Sequence, residues 1–190
     1  MKPQHPNTQQ NTQTQAPSNF TFLSWNIEGL INKLSDHDFV NFVTSFDVVC
    51  LQETFATASF DFGIHFDKFL VVVSPAVRLS RMGRSSGGTV LLVRKSLSDY
   101  VTVVESGVDN ILCVRLSKML FGSDKDVVFI GTYIHPKSSP YYQDKEYDCT
   151  IDELEHVVLS IHEGDDVHFV VGGDLNARIG EWGLEVTDDG

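Results

Sequence analysis

The sequence lacks an apolar run long enough to span a bilayer, and its N-terminus lacks the hydrophobic segment of a signal peptide. These absences argue against a membrane protein and against secretion. Cysteine is also scarce, with only Cys50, Cys113 and Cys149, which are widely spaced. Because Cys50 and Cys113 lie within apolar runs, we interpret them as reduced core residues and not as a disulfide or zinc framework. We therefore expect an intracellular protein, nuclear or cytoplasmic.

Basic residues are scarce as well. The chain has 14 Lys and Arg against 26 Asp and Glu, and the net charge of −12 argues against a protein whose whole surface binds nucleic acid. This charge does not exclude an enzyme that contacts phosphates along only one rim of its surface. The bases concentrate at residues 78–95, a window without acids that includes Arg81 and Arg84. This window predicts either a solvated loop or a nucleic-acid contact.

The chain divides into a polar tract and one domain. Residues 1–18 are rich in Gln, Asn, Thr and Pro and are predicted to be a disordered tail. Residues 19–190 are enough for a single domain with a substantial core. Hydrophobic periodicity predicts strands at 20–25, 47–51, 69–74, 88–94, 110–116, 127–133 and 167–171, and helices at 32–46 and 142–162. Many strands with few helices predict an α/β sandwich in which both sheets are covered.

Two segments share one pattern, in which a strand-like run ends and polar side chains follow at positions i and i+2. The first pair is Asn26 and Glu28, and the second is Asp174 and Asn176. Because residues two apart in extended backbone point to the same side, each pair is expected to present a carboxylate and an amide together. A third run delivers Glu53 in the same manner.

Carboxylates that converge at strand ends are costly unless a cation or hydrogen bonds neutralise them. Oxygen ligands of this kind suit Mg²⁺ or Mn²⁺, which take few protein carboxylates and leave positions open for water and a phosphate. The alternative is that Glu28, Glu53 and Asp174 are ordinary exposed strand-end residues. Three such residues, each after a buried run, favour a site.

Four motifs follow one another along the chain: Ser-Trp-Asn26-Ile-Glu28-Gly-Leu, Leu-Gln-Glu53-Thr, Tyr133 and Gly-Asp174-Leu-Asn176. Their order resembles that of the endonuclease/exonuclease/phosphatase superfamily. The intervening segments Ser-Gly-Gly-Thr-Val-Leu-Leu-Val-Arg-Lys-Ser-Leu and Gly-Thr-Tyr133-Ile-His-Pro-Lys-Ser-Ser-Pro-Tyr-Tyr are similar to the endonuclease domains of non-LTR (LINE-type) retrotransposon proteins. The resemblance runs from about Phe20 to Gly180.

The resemblance implies a four-layer α-β-β-α sandwich and a Mg²⁺-dependent (or Mn²⁺-dependent) endonuclease that acts on DNA. Glu53 would be the principal metal ligand, assisted by Asn26 and Glu28. Asp174 would orient or deprotonate the attacking water, Asn176 would hydrogen-bond the scissile phosphate, and Tyr133 would stabilise charge. Loops on the rim that carries Arg81 and Arg84 would hold the DNA backbone. His135 is expected to be a surface residue without a catalytic role.

One departure from the family concerns the end of the chain. The family completes its site with further Asp residues and a Ser-Asp-His motif near the C-terminus, and neither a histidine nor this motif follows Asn176 here. We therefore expect an incomplete domain that is inactive or nearly so. Two alternatives stay open. One is an inositol-polyphosphate 5-phosphatase-like enzyme, which residues 173–179 also match, and the other is a non-catalytic fragment that binds nucleic acid.

Overall fold

The computed structural model describes residues 20–78, 83–136, 139–142 and 147–176. The predicted tail at 1–18 lies outside these ranges, so its predicted disorder stays a prediction. The eight strands are β1 Phe22–Asn26, β2 Val48–Gln52, β3 Phe69–Ser74, β4 Thr89–Arg94, β5 Val101–Val104, β6 Ile111–Leu116, β7 Val127–Tyr133 and β8 His168–Asp174. The three α-helices are α1 His37–Val43, α2 Phe62–His65 and α3 Tyr147–Gly164.

The strands form two four-stranded sheets. The first has the order β1-β2-β4-β3, with β1 and β2 parallel and the other neighbours antiparallel. The second has the order β5-β6-β7-β8, with β7 and β8 parallel and the others antiparallel. Each sheet thus carries one parallel pair at an end of its strand order.

Strand β2 shows how the layers are built. Val48 and Cys50 belong to the apolar cluster between the two sheets, whereas Val49 and Leu51 pack on the other side, against α1. This alternation is the two-residue period of a strand whose faces are both covered. Helix α3 covers the outer face of the second sheet through Val157. The four-layer α-β-β-α sandwich is therefore confirmed.

The predicted element bounds hold better for the strands than for the helices. The helix predicted at 32–46 begins only at His37, because Asp36 caps it by accepting hydrogen bonds from the backbone N–H groups of Asp38 (2.9 Å) and Phe39 (3.3 Å). Strand β5 and helix α2 were not predicted. Both have only four residues, too few for periodicity to distinguish them from loops.

Cys50 and Cys113 are free and buried, as expected of core residues. Burial raises the pKa of each thiol to about 12, so neither has the thiolate character of a reactive cysteine. Among the residues described above, no helix is long and apolar enough to cross a membrane.

Candidate active site

Four strand ends meet at one edge of the sandwich. The parallel register pairs Asn26 of β1 with Gln52 of β2, and Tyr133 of β7 with Asp174 of β8. Strands β1 and β8 approach each other across the two sheets. Their shared direction therefore brings the C-terminal ends of all four strands, and the polar residues there, to one place.

A hydrogen bond joins the two sheets at this edge. Nδ2 of Asn26 donates to Oδ2 of Asp174 over 2.7 Å, although the two residues are 148 positions apart in sequence. The bond involves a carboxylate, so it is of the stronger, charge-assisted kind. It fixes the Asp174 carboxylate against the end of β1.

Each predicted pair is arranged as a turn and not as extended backbone. In each pair, the side chain of the first residue accepts a hydrogen bond from the backbone N–H of the second. Asn26 accepts from Glu28 over 3.2 Å, and Asp174 accepts from Asn176 over 2.9 Å. Both second residues have a left-handed backbone, with φ of 48° and 45°. The expectation that each pair points to one side of a strand was therefore wrong, because β1 and β8 end at the first residue of each pair.

Glu53 and Tyr133 form the second link between the sheets. The phenol of Tyr133 donates to Oε1 of Glu53 over 2.6 Å. Burial raises the pKa of Tyr133 far above its ordinary value, and the hydrogen bond to Glu53 and the negative charges of Glu53 and Asp174 raise it further. A side-chain hydrogen bond with Asn176 lowers the pKa of Tyr133 and offsets part of this rise. Tyr133 therefore stays a neutral hydrogen-bond donor across the physiological pH range.

The backbone is strained where these side chains emerge. Glu53 has a φ of 52°, a conformation that is uncommon for residues with a Cβ atom. Its carbonyl accepts from the N–H of Gly29 over 2.7 Å, which continues the pairing of the two chain segments beyond β1 and β2. Backbone strain of this kind costs about 1–3 kcal/mol and concentrates at functional sites. Glu28, Glu53 and Asn176 all show it.

Asn176 is held by its side chain as well as its backbone, because Nδ2 donates to the carbonyl of Ile134 over 2.8 Å. Asn26, Glu53, Tyr133, Asp174 and Asn176 are thus brought into one network. The sixth predicted residue, Glu28, joins only through its backbone, and its side chain is exposed. Arg84 is also exposed and lies over the ring of Phe55, while Arg81 falls outside the described residues.

Two features near the network were not predicted. His135 is only 3% exposed and stacks on Tyr141 at 4.0 Å, so the expectation of a surface histidine was wrong. Its ring also contacts Tyr133 edge-on at 4.8 Å. The Gly87-Gly88 pair has positive φ at both residues, and a Cβ on Gly87 would lie 2.9 Å from the His135 ring. Only the adjacent glycines in the sequence pointed to this close approach.

The tripeptide Ser35-Asp36-His37 has the same letters as the motif expected near the C-terminus. Its Asp36 caps helix α1, which packs on the outer face of the first sheet. These residues are therefore part of the helical layer and do not complete the site.

The donor set fits a hard divalent cation. Carboxylate oxygens of Glu53 and Glu28 and the amide oxygen of Asn26 stand at the neighbouring strand ends, and no sulfur or imidazole ligand belongs to the network. Within the described ranges, no three His, Cys, Asp or Glu side chains converge on one point. Mg²⁺ and Mn²⁺ are typically held by one or two carboxylates with water in the other positions, which this donor set can supply.

The geometry agrees with comparisons to known proteins. A sequence profile of the Endonuclease/Exonuclease/phosphatase family matches residues 23–190, so the chain belongs to this family. A search of curated protein sequences gave no match. The fold itself is that of several DNA-processing enzymes of known structure.

Three of these structures illustrate the likeness. An AP endonuclease from Leishmania major has a TM-score of 0.60 and 19% identity over 83% of this chain and 55% of its own. The Xenopus laevis APE2 catalytic domain has a TM-score of 0.58 and 18% identity, over 82% of this chain and 58% of its own. A 3′ phosphatase from Neisseria, solved with a product DNA hairpin, has a TM-score of 0.56 and 16% identity, over 81% and 57%. The chain thus spans little more than half the length of these structures.

Proposed function

We propose that the chain carries the metal-binding part of a divalent-metal-dependent DNA phosphodiesterase, an endonuclease of the retrotransposon type. The observation that carries this proposal is the network between the sheets, in which Asn26 holds Asp174 and Tyr133 holds Glu53. Family membership supports phosphate-ester hydrolysis, and the motifs between the site residues support the retrotransposon type.

The roles follow from what each side chain can do. Glu53, with Asn26 and Glu28, would hold Mg²⁺ or Mn²⁺, which when bound supplies positive charge to a phosphate oxygen. Asp174 is oriented by Asn26 and can accept a proton from water. Tyr133, a neutral donor at this edge, can stabilise charge that grows on the phosphate or the leaving group. Asn176 would contribute a further hydrogen bond to the phosphate.

The test is nicking of supercoiled plasmid at high protein concentration, with and without Mn²⁺. We expect nicking that needs the metal and that falls at least about a hundredfold in Glu53→Gln and in Asp174→Asn.

The matched control is Glu163→Gln, which removes an exposed carboxylate near the end of α3 and should nick normally. Electron paramagnetic resonance measures Mn²⁺ binding directly and separates the outcomes in which no nicking is seen. Binding that is lost in Glu53→Gln, without any nicking, would support a non-catalytic fragment. Absent metal binding would contradict the proposal, and so would nicking that is unchanged in Glu53→Gln.

A second candidate is a phosphatase that acts on inositol polyphosphates. The segment Gly-Asp174-Leu-Asn176-Ala-Arg-Ile favours it, because the same segment fits both groups of enzymes. The two candidates differ in product. Release of inorganic phosphate from an inositol polyphosphate, dependent on Glu53 and without DNA nicking, would favour the phosphatase.

A further inference from the structure

His135 is a polar residue that is buried directly beside the network. Its side chain is only 3% exposed, and its ring meets the ring of Tyr133 edge-on, with the centroids 4.8 Å apart and the planes at 74°. A ring that is buried to this extent does not reach a phosphate of the substrate. Any contribution of His135 to the site therefore passes through the residues that it contacts.

The ring of Tyr133 needs a support of its own. The backbone of Tyr133 is fixed, because its N–H donates to the carbonyl of Asn110 over 3.0 Å, and its phenol crosses between the sheets to donate to Glu53 over 2.6 Å. A backbone hydrogen bond does not set the side-chain torsions, which packing selects among the staggered rotamers. The edge-on contact with His135 is packing of this kind, in a geometry that aromatic pairs prefer.

The backbone of Gly87 lies against the same two rings. A Cβ atom on Gly87 would lie 2.9 Å from Cε1 of His135 and 3.6 Å from Cε1 of Tyr133. The first contact is too short for a residue with a Cβ atom, and the φ of 70° at Gly87 also favours glycine. The carbonyl of Gly87 accepts from the N–H of Phe55 over 3.1 Å. The rings therefore rest on a backbone that is bonded to the chain just after Glu53.

The turn Pro140–Tyr142 holds both the ring and the backbone of His135. The ring of Tyr141 stacks on the imidazole, with the centroids 4.0 Å apart and the planes at 18°. The hydroxyl of Tyr142 donates to the carbonyl of His135 over 3.0 Å. Because of these contacts, the imidazole cannot turn away from Tyr133 without breaking its stack on Tyr141. A chain of contacts thus runs from this turn through His135 to the phenol that joins the sheets.

We propose that His135 is a positioning residue for Tyr133. Its ring, which Tyr141 and the Gly87 backbone hold in place, keeps the phenol of Tyr133 on Glu53 and thereby orients the Glu53 carboxylate. Hydrogen-bond partners of metal-binding side chains orient those side chains in this way. The proposal rests on the proposed function for the metal at Glu53, whereas the packing of the rings is independent of it.

The alternative is that His135 only fills space in the core. Both interpretations predict a loss of stability when the imidazole is removed, so stability alone does not separate them. They differ in what can replace the ring. A residue that only fills space can be replaced by an apolar side chain of similar volume, whereas a positioning residue needs the flat ring. The test therefore compares His135→Leu, which fills the space, with His135→Phe, which restores a ring.

The measurement is ¹³C NMR of the metal-free full chain, with the label at Cζ of its tyrosines. The Tyr133 signal is the one that is absent from Tyr133→Phe, and Glu53→Ala gives its position when the acceptor of the phenol is lost. We expect the Tyr133 signal of His135→Leu to move most of the way to that position. In His135→Phe it should stay where it is in the unsubstituted chain. Tyr141→Leu, which keeps His135 but removes its stack, should move the signal in the same direction as His135→Leu.

The matched control is His65→Leu. His65 also stacks on an aromatic ring, that of Phe60 at 5.4 Å and 6°, but it is exposed and belongs to α2, outside the network. Its loss should leave the Tyr133 signal unchanged. For the site itself, we expect His135→Leu to bind Mn²⁺ about tenfold more weakly and to nick DNA about tenfold more slowly. His135→Phe should recover both.

The outcomes separate the positioning role from the proposed function. A Tyr133 signal that stays in place in folded His135→Leu overturns the positioning role, even where nicking still depends on Glu53. So does a signal that fails to return in His135→Phe or that moves equally in His65→Leu. Where His135→Leu does not fold, the Tyr133 signal of Tyr141→Leu decides in the same way. A signal that moves as expected, in a chain without Glu53-dependent metal binding or nicking, overturns the proposed function and leaves the positioning role standing.

Discussion

Strands β2 and β8 perform the same task in very different surroundings. Each is parallel to one neighbour and delivers a candidate carboxylate at its C-terminal end, Glu53 directly after β2 and Asp174 as the last residue of β8. All five residues of β2 are buried between β1 and β4. Strand β8 lies at the end of its sheet's strand order, and four of its seven residues are exposed.

The difference shows two ways of fixing a polar side chain. Glu53 is positioned by the packing of β2 on both faces, so the core holds its backbone in the strained conformation. Asp174 is positioned by hydrogen bonds, from the side chain of Asn26 and the backbone of Asn176. We infer that the β2 side tolerates little change in the core, while the β8 side depends on a few polar contacts.

The largest expected effect tests this inference on stability. Leu51→Ala removes a side chain that is 0% exposed and should lower the free energy of unfolding by about 2–5 kcal/mol. Val171→Ala on β8, where the side chain is 46% exposed, should change it by only about 0.5 kcal/mol. Urea denaturation followed by circular dichroism measures both. Comparable losses in the two variants would show that β8 is as well packed as β2.

The next prediction concerns the hydrogen bond between Tyr133 and Glu53, which links the two sheets. The fold raises the pKa of Tyr133 above its ordinary value of 10.0, first by burial and then by Glu53. A raised pKa means that the folded state binds the proton more tightly. The stability that this proton contributes is therefore complete below pH 10 and is lost as the pH rises toward the folded-state pKa.

Tyr133→Phe removes the titrating phenol and so isolates its contribution to the pH dependence of stability. Above pH 10, the stability advantage of the unsubstituted chain over this variant should shrink by up to about 1.4 kcal/mol per pH unit. Urea denaturation of both proteins between pH 8 and pH 11 measures the difference, in which the buried thiols and other tyrosines cancel. A difference that stays constant with pH would mean that Tyr133 is not held by burial and Glu53.

Most of the fold could be predicted from sequence, and the exceptions have physical causes. Strand β3, Phe69–Ser74, has the predicted bounds because its apolar run is long and bounded at both ends. Strand β5 was missed because it has four residues, two of them exposed. Pairing order across the two sheets could not be predicted, since each apolar strand is compatible with several neighbours.

The candidate site was predictable as a set of residues but not as a geometry. Sequence order placed Asn26, Glu53 and Asp174 after apolar runs, and parallel pairing brings such ends together. It could not predict the left-handed turn at Glu28, which leaves that side chain exposed. Nor could it predict that His135 is buried, because the stack with Tyr141 depends on a turn outside any periodic segment.

The smallest expected effect concerns the left-handed turn at Glu28. Glu28 is exposed, its φ is 48°, and its side chain forms no hydrogen bond or ion pair with the rest of the described chain. Glycine adopts this conformation without the steric cost of a Cβ atom. Glu28→Gly should therefore raise the free energy of unfolding, measured without metal, by up to about 1 kcal/mol. The backbone hydrogen bond to Asn26 remains possible in the variant.

The matched control is Glu105→Gly, at an exposed glutamate without a positive φ, which should leave stability unchanged or lower it. Stabilisation in the first variant alone, together with weaker Mn²⁺ binding, would show that the chain retains a strained carboxylate for its site at a cost in stability. Destabilisation by Glu28→Gly would show instead that the turn is held by contacts of the glutamate side chain. The β1 side would then depend on polar contacts just as the β8 side does.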